Sequence, residues 1–173
     1  MPPLPPIRFL NAGHFCDHYF LLIFPTAVIA IETDWQLTYG EALALGTPAV
    51  VAFALGTPLA GWLGDRWSRR GLMAIFFFGL AAGGLLTGLA TGPVSLMAGL
   101  AVIGFFASIY HPVALAMITD IAARPGRALA VNGVAGNLGL AGAALATGLL
   151  ADAFGWRAAF LVPGGVACAI GAL

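Results

Sequence analysis

The chain has 173 residues, of which 61% are hydrophobic and only 8% are charged. A soluble domain carries roughly 25% charged residues, so this composition excludes an ordinary water-exposed domain and predicts an integral membrane protein. Seven acidic residues balance seven arginines, and the chain contains no lysine. Because there is no basic excess to neutralise phosphates, we expect no nucleic-acid partner.

Long apolar runs separated by short polar turns organise the whole chain. A membrane-spanning helix needs about 20 apolar residues, so the length predicts about six spans and an all-α membrane fold. The last run has only about 17 residues, at the lower end of the spanning range, and we expect it to be truncated. The predicted spans of this single bundle, residues 1–173, are 9–31, 42–63, 72–90, 94–118, 128–151 and 157–173.

The arginines predict the orientation of the bundle. Cytoplasmic loops of membrane proteins carry an excess of basic residues. If the amino terminus is cytoplasmic, six arginines lie inside and only Arg157 lies outside. We therefore predict a cytoplasmic amino terminus. The six inward arginines are Arg8, Arg66, Arg69, Arg70, Arg124 and Arg127.

Glycines and prolines inside the apolar runs predict close packing and bends. Membrane helices associate through close backbone approach, which small residues allow. Gly136, Gly139 and Gly142 recur every three residues in the fifth predicted span, so we expect another helix to pack there. Pro48 and Pro58 stand ten residues apart in the second predicted span. Each removes a backbone hydrogen bond, so both can bend that helix.

Four ionisable residues within the predicted spans are candidates for a binding or proton-relay site, since a charge at membrane depth needs a partner or a water-filled cavity. His14, Asp17 and His18 share one arc of roughly 100° on a helix. Counted along the helices, Asp17 lies about 12 Å and His111 about 10 Å from the cytoplasmic ends of their spans, so they can meet. His14 lies nearest the membrane surface, and the alternative to a relay role is that it only snorkels towards that surface.

The chemistry of these residues leaves three alternatives open. A carboxylate beside imidazoles can relay protons, because histidine titrates near neutral pH. The same residues can instead form a hydrogen-bonded cluster that closes the cytoplasmic side. His14, Asp17 and His18 can also present two nitrogens and one oxygen to a transported metal ion, with Cys16 pointing away. We expect no resident metal or other cofactor and, without a nucleophile elbow, phosphate loop or strand pattern, no enzyme.

The turn after the second predicted span carries the most specific motif. Residues 61–70 read Gly-Trp-Leu-Gly-Asp-Arg-Trp-Ser-Arg-Arg. They resemble the cytoplasmic signature of the major facilitator superfamily, in which a glycine, three residues, an acid and a base precede a glycine and two bases. Ser68 stands where that family usually has its second glycine. The matching residues are Gly61, Asp65, Arg66, Arg69 and Arg70.

Other stretches support the resemblance. Residues 155–160, Gly-Trp-Arg-Ala-Ala-Phe, are similar to the start of the family's sixth span. Residues 11–25, 109–112 and 136–139 resemble the branch that includes fosmidomycin-resistance exporters. The arginine that family drug/proton antiporters carry in the fourth span is replaced here by Leu100.

The resemblance implies a twelve-span transporter built from two six-span halves, each made of inverted three-span repeats, of which this chain is the amino-terminal half. It implies that spans one and four line a central cavity and that Asp65 contributes to a latch on the cytoplasmic side. We expect a permease in the bacterial cytoplasmic membrane that moves a small-molecule solute by alternating access. We also expect efflux of the solute and coupling to protons. The expected partners are the lipid bilayer and either a carboxy-terminal six-helix half or a second copy. The alternative is a half-size membrane module that acts through assembly without transporting.

Overall fold

The protein is helical throughout the part that a computed structural model describes, residues 7–173, and no strand occurs in that range. The predicted cytoplasmic amino terminus, residues 1–6, lies outside the described residues. Eight helices follow one another with short connections. They are α1 (Ile7–Trp35), α2 (Tyr39–Ala44), α3 (Thr47–Arg66), α4 (Arg69–Gly88), α5 (Pro93–Ala107), α6 (Tyr110–Ile121), α7 (Pro125–Phe154) and α8 (Ala158–Gly171).

Five crossings of membrane length arise from these helices. Three of them, α1, α4 and α7, are single helices that are long and apolar enough to cross a membrane. The other two are each made by a pair of shorter helices, α2 with α3 and α5 with α6. The final helix, α8, is apolar but only 14 residues long.

Proline accounts for both interrupted crossings, because its nitrogen cannot donate to the carbonyl four residues earlier and its ring collides with that carbonyl. Pro48 therefore disfavours a continuous helix across Ala44, where α2 ends. Pro112 has the same effect on Ser108, which directly follows α5. The fourth apolar run, predicted as one continuous helix, is thus two helices. Pro58 stays within α3, so the first of the two expected bends is a complete break.

The connection between α6 and α7 is shorter than the polar composition of residues 120–127 predicts. Only residues 122–124 separate the two helices. Pro125 begins α7, a position at which the missing amide hydrogen costs nothing and the fixed backbone angle suits a helix.

Close backbone contacts set the arrangement of the helices. The long helix α7 lies along α1, α4 lies between α5 and α8, and α3 packs on α5. A Cβ atom on Gly139 of α7 would collide with the main-chain carbonyl of Phe15 on α1. A Cβ atom on Gly104 of α5 would collide with the carbonyl of Ala49 on α3. The first of these contacts brings the polar side of α1 against α7, with α6 beside both helices.

Candidate functional site: Asp17 and three histidines

Asp17 is the acidic residue of the site, and it is buried. Its side chain is wholly buried on α1, with a relative exposure of 0%. His14 and His18 flank it on the same helix, and His111 comes from the first turn of α6. Nε2 of His111 lies 3.3 Å from Oδ2 of Asp17. The structure thus brings together the four residues that the sequence offered as candidates.

The three imidazoles form one cluster, and they are all the histidines that the chain contains. Nε2 of His14 lies 3.2 Å from Nε2 of His18. The three pairs of ring centres are 4.5, 5.1 and 5.6 Å apart. His18 and His111 are partly exposed, whereas His14 is only 6% exposed. This burial contradicts the alternative that His14 only snorkels, because its ring is enclosed between α1 and α7.

A hydrogen bond fixes the protonation of His14. Its Nδ1 lies 2.8 Å from the main-chain carbonyl oxygen of Asn132 on α7. A carbonyl can only accept, so Nδ1 carries the hydrogen and donates it. The ring also stacks on Tyr110, with centres 5.0 Å apart and planes 24° apart. In the neutral ring, Nε2 of His14 consequently carries no hydrogen, and its lone pair is available to His18.

Two residues that hold this cluster in place have no role in the sequence prediction. The hydroxyl of Tyr110 donates to the carbonyl of Leu10 at 2.6 Å. The side-chain amide of Asn132 donates to the Tyr110 oxygen at 2.9 Å and to Oδ1 of Asn11 at 3.0 Å. These bonds join α1, α6 and α7. The available signal for Asn132 was a side-chain amide in an apolar run, since such a group is costly to bury without partners.

The carboxylate of Asp17 lacks ordinary compensation. Neither of its oxygens accepts a hydrogen bond from any of residues 7–173, so the contact with His111 is an ion-pair distance without hydrogen-bond geometry. A carboxylate that is shielded from water needs a bound proton or a neighbouring cation. The surrounding imidazoles can meet this need in two ways. A protonated ring can give its proton to the carboxylate or stay beside it as a cation, and neutral rings can bind a metal cation near it.

The signature loop is organised by Arg69 at the start of α4. Its Nη1 lies 2.6 Å from Oδ2 of Asp120 at the end of α6, and its Nη2 lies 3.8 Å from Oδ1 of Asp65. Its Nε also donates to the carbonyl of Gly64 at 3.0 Å. Asp65 is therefore the more distant acid, and Asp120 is a partner that the sequence did not indicate.

The remaining signature residues lie on α3 and at the start of α4. Gly61 of α3 faces Pro112 of α6, where an added Cβ atom would make an ordinary contact of 3.7 Å. The guanidinium of Arg66 stands over the ring of Trp62, 4.7 Å from its centre. Arg70 lies in the exposed first turn of α4. Within the signature, Arg69 is thus the residue that joins the end of α3, the start of α4 and the end of α6.

The three regularly spaced glycines of α7 face α1. A Cβ atom on Gly136 would lie 2.7 Å from Nε2 of His14, and one on Gly142 would lie 3.2 Å from the Phe15 ring. Gly139, between them, meets the Phe15 main chain. The glycines therefore make room for the imidazole of His14 as well as for the neighbouring backbone.

A second polar contact lies at the opposite end of the bundle. Oδ2 of Asp34, near the end of α1, accepts from Nε1 of Trp156 at 3.0 Å and from Nη1 of Arg157 at 3.2 Å. Arg157 also donates to the carbonyl of Ala90 at 3.2 Å. The one arginine predicted to lie outside thus joins α1 to the turns before α5 and α8.

The residues able to hold a metal ion differ from the trio that the sequence suggested. Potential ligand atoms within 4.8 Å of one another belong to His14, His18 and His111. Asp17, which the sequence grouped with the first two, faces His111 instead. Cys16 lines a separate apolar pocket.

Curated relatives cover most of this chain but only a fraction of their own length. The chain is 34% identical over 147 residues to the "Multidrug resistance protein B homolog" of Mycobacterium tuberculosis, which covers 84% of this chain and 27% of that protein. It is 30% identical over 158 residues to a cephamycin export protein of Amycolatopsis lactamdurans, covering 85% and 32% respectively. The chain therefore spans about a quarter to a third of the length of these relatives.

The fold and the family model agree. A crystal structure of a peptide transporter in complex with alafosfalin superposes with a TM-score of 0.80 at 17% identity, covering 96% of this chain and 37% of that one. This likeness confirms the predicted all-α fold as half of a transporter architecture. Residues 10–173 match the family model described as Major Facilitator Superfamily. The chain therefore belongs to the major facilitator superfamily, whose members are integral membrane transporters and not enzymes.

Proposed function

We propose that this chain forms the amino-terminal half of a secondary transporter that moves a small solute across the bacterial cytoplasmic membrane by alternating access, coupled to protons through Asp17. The observation that carries the proposal is the wholly buried carboxylate of Asp17, 3.3 Å from His111 on another helix. A charged group at membrane depth costs at least about 2.5 to 3.5 kcal/mol on insertion scales, and such groups mark ion and proton pathways.

The proton path runs from the exposed imidazoles to the buried acid. His18 and His111 are partly exposed and Asp17 lies behind them, so a proton from water reaches a ring first. Histidine changes its charge near neutral pH, which suits it to pass a proton to Asp17. In this scheme one proton moves from Nε2 of His111 to Oδ2 of Asp17, and the reverse step returns it.

The helix break before His111 supports a coupled movement. Transporters commonly place binding groups where a helix is interrupted. The interruption between α5 and α6 directly precedes the turn that carries His111. A rotation of α6 about this break would separate His111 from Asp17. Each group could then exchange its proton with a different side of the membrane.

The proposal also includes the orientation of the bundle and the partner that completes the transport cavity. We place the amino terminus and the signature loop in the cytoplasm, because six arginines then lie inside and one lies outside.

A single six-helix half supplies one wall of a transport cavity. The other wall comes from a carboxy-terminal half or from a second copy of the chain.

The names of the relatives support two further points: the solute is a small organic compound, and it is moved out of the cell. The two curated relatives described above are a multidrug resistance homologue and a cephamycin exporter. Ethidium and the cephamycin cefoxitin are therefore the first probes. The full-length protein would be expressed in bacteria that lack their own efflux pumps, and ethidium efflux and cefoxitin tolerance would be measured.

Asp17→Asn keeps the shape of the side chain and removes its titratable charge, so efflux of the probes should fall tenfold or more. Asp152→Asn is the matched control, because Asp152 is an exposed acid on α7 away from the histidines. Membrane levels of both variants should equal those of the parent. An Asp17→Asn variant with the parental efflux rate and pH profile would show that the proposed relay is wrong.

A further inference from the structure

The three histidines of the chain converge on one point, and this arrangement suits a metal ion as well as a proton. We propose that His14, His18 and His111 bind one divalent transition-metal ion, with Zn²⁺ as the reference ion and Asp17 as a neighbouring carboxylate that balances its charge. Imidazole nitrogen is a preferred ligand of Zn²⁺, Co²⁺, Ni²⁺ and Cu²⁺. The potential ligand atoms of the three histidines already lie within 4.8 Å of one another.

The spacing of the cluster is close to that of ligands around a tetrahedral ion. With metal–nitrogen distances of about 2.0–2.1 Å, two ligand atoms lie about 3.3 Å apart and two ring centres about 5 Å apart. Nε2 of His14 and Nε2 of His18 are 3.2 Å apart. The ring centres are separated by 4.5, 5.1 and 5.6 Å. The three ligand atoms, which lie within 4.8 Å of one another, would have to close to about 3.3 Å around a bound ion.

The hydrogen bonding of His14 prepares its Nε2 as a ligand. Nδ1 of His14 donates to the carbonyl of Asn132, which fixes the hydrogen on that nitrogen. Histidines that bind metal commonly donate their other nitrogen to a carbonyl or carboxylate in this way. The free lone pair of Nε2 then points at Nε2 of His18. Either a hydrogen on the His18 ring or a cation must lie between the two nitrogens.

Asp17 supplies the negative charge that a divalent ion requires. Its Oδ2 lies 3.3 Å from Nε2 of His111, so the carboxylate stands beside one of the three proposed ligands. Both of its oxygens are buried and accept no hydrogen bond from residues 7–173. Nδ1 of His18 is likewise buried without a partner in this range. The ion has a route to the site, because His18 and His111 are partly exposed.

The experiment measures metal binding directly, on the full-length protein purified without a histidine tag. Zn²⁺ affinity is obtained by competition with a chromophoric chelator, and Co²⁺ is titrated while its visible absorption is recorded. We expect one ion per chain and the strong absorption of tetrahedral Co²⁺. X-ray absorption of the zinc-loaded protein should show imidazole ligands at about 2.0–2.1 Å.

Variants identify the ligands. His18→Gln and His111→Gln should each weaken Zn²⁺ binding at least tenfold, and the double variant should lose the site. Asp17→Asn should weaken binding about 10- to 100-fold, the range expected when a supporting carboxylate is lost. Cys16→Ala and Asp152→Asn are matched controls that should bind as the parent does. Helical circular dichroism and gel filtration of each variant establish that it is folded.

Two results would overturn the proposal. Folded parental protein that binds no Zn²⁺ or Co²⁺ would mean that the cluster holds protons only. Zn²⁺ binding that persists unchanged in the His18→Gln/His111→Gln variant would place the ion elsewhere in the protein. Binding is measured without transport, so its failure is separate from that of the proposed function.

Discussion

Arg69 and Asp120 join the start of α4 to the end of α6, with Nη1 of the arginine 2.6 Å from Oδ2 of the acid, although 51 positions separate them. Arg69 contacts Asp65 more loosely, at 3.8 Å, and the Asp65 side chain is 74% exposed. The contact that joins the signature loop to α6 therefore rests more on an acid outside the signature than on the acid inside it.

The first prediction ranks the two acids. Asp120→Asn should destabilise the purified protein by about 0.2–1 kcal/mol, as expected for a partly exposed ion pair, and Asp65→Asn should cost less. Thermal unfolding at low and high salt measures both effects, and high salt should reduce the difference because it screens exposed charges. A larger loss in Asp65→Asn than in Asp120→Asn would contradict this assignment.

The second prediction concerns the contact between α1 and α7. Gly139→Ala forces a methyl group against the main-chain carbonyl of Phe15 and should destabilise the bundle by about 1–3 kcal/mol, the usual cost of overpacking. Gly148→Ala is the matched control on the same helix, because nothing lies within 4 Å of the added atom. Thermal unfolding should distinguish the two. Equal melting temperatures would mean that the helices do not approach closely at Gly139.

The sequence predicts the fold class well because that prediction depends on local properties. Apolar runs of spanning length indicate membrane helices wherever the chain places them. The helical repeat alone also puts His14, Asp17 and His18 on one side of α1. Their proximity to His111 could be predicted only by counting depth along two antiparallel spans and adding the family resemblance. The functional roles of these four residues stay predictions.

Long-range polar partners were missed because they depend on how the helices pack. Nothing local in the sequence selects Asp120 over Asp65 as the closer partner of Arg69. Asn132 holds the site through contacts with residues more than 100 positions away as well as with Tyr110. The break in the fourth crossing was more accessible, since Pro112 by itself disfavours a continuous helix across Ser108. The resemblance to the fosmidomycin-resistance branch also stays a prediction.

The third prediction tests the proposed orientation. In a background that lacks Cys16 and Cys168, single cysteines replace Thr33 and Gly126, which are both exposed. An impermeant thiol reagent added to intact cells should label the cysteine at position 33 and not the one at position 126. The arginine distribution requires this result, because residue 126 lies between two inward arginines.

Permeabilised cells provide the control for this labelling, since both cysteines should then react. Labelling of both positions in intact cells would remove the proposed arrangement of the spans. Labelling of position 126 alone would reverse the orientation and place the signature loop outside.

The fourth prediction concerns the chain as a half of a transporter. The partly exposed His18 and His111 lie on a face that the described helices leave uncovered. In a monomer this face would meet lipid, and exposing polar groups there costs several kcal/mol even after snorkelling and local thinning of the bilayer. Association with a carboxy-terminal half, or with a second copy related by a twofold axis along the membrane normal, would cover it.

We therefore expect that residues 1–173, reconstituted alone, do not transport as a monomer. Alternating access needs two bundles that rock about a site between them, and one bundle cannot close the site on both sides. Vesicles would be loaded with ethidium, and single-molecule bleaching would count the copies in each vesicle. Flux confined to vesicles with two or more copies would indicate a homodimeric transporter, whereas flux only after co-reconstitution with a carboxy-terminal half would indicate a split twelve-span protein. Flux from vesicles with strictly one copy would refute the prediction, because a six-helix bundle would then contain a complete pathway.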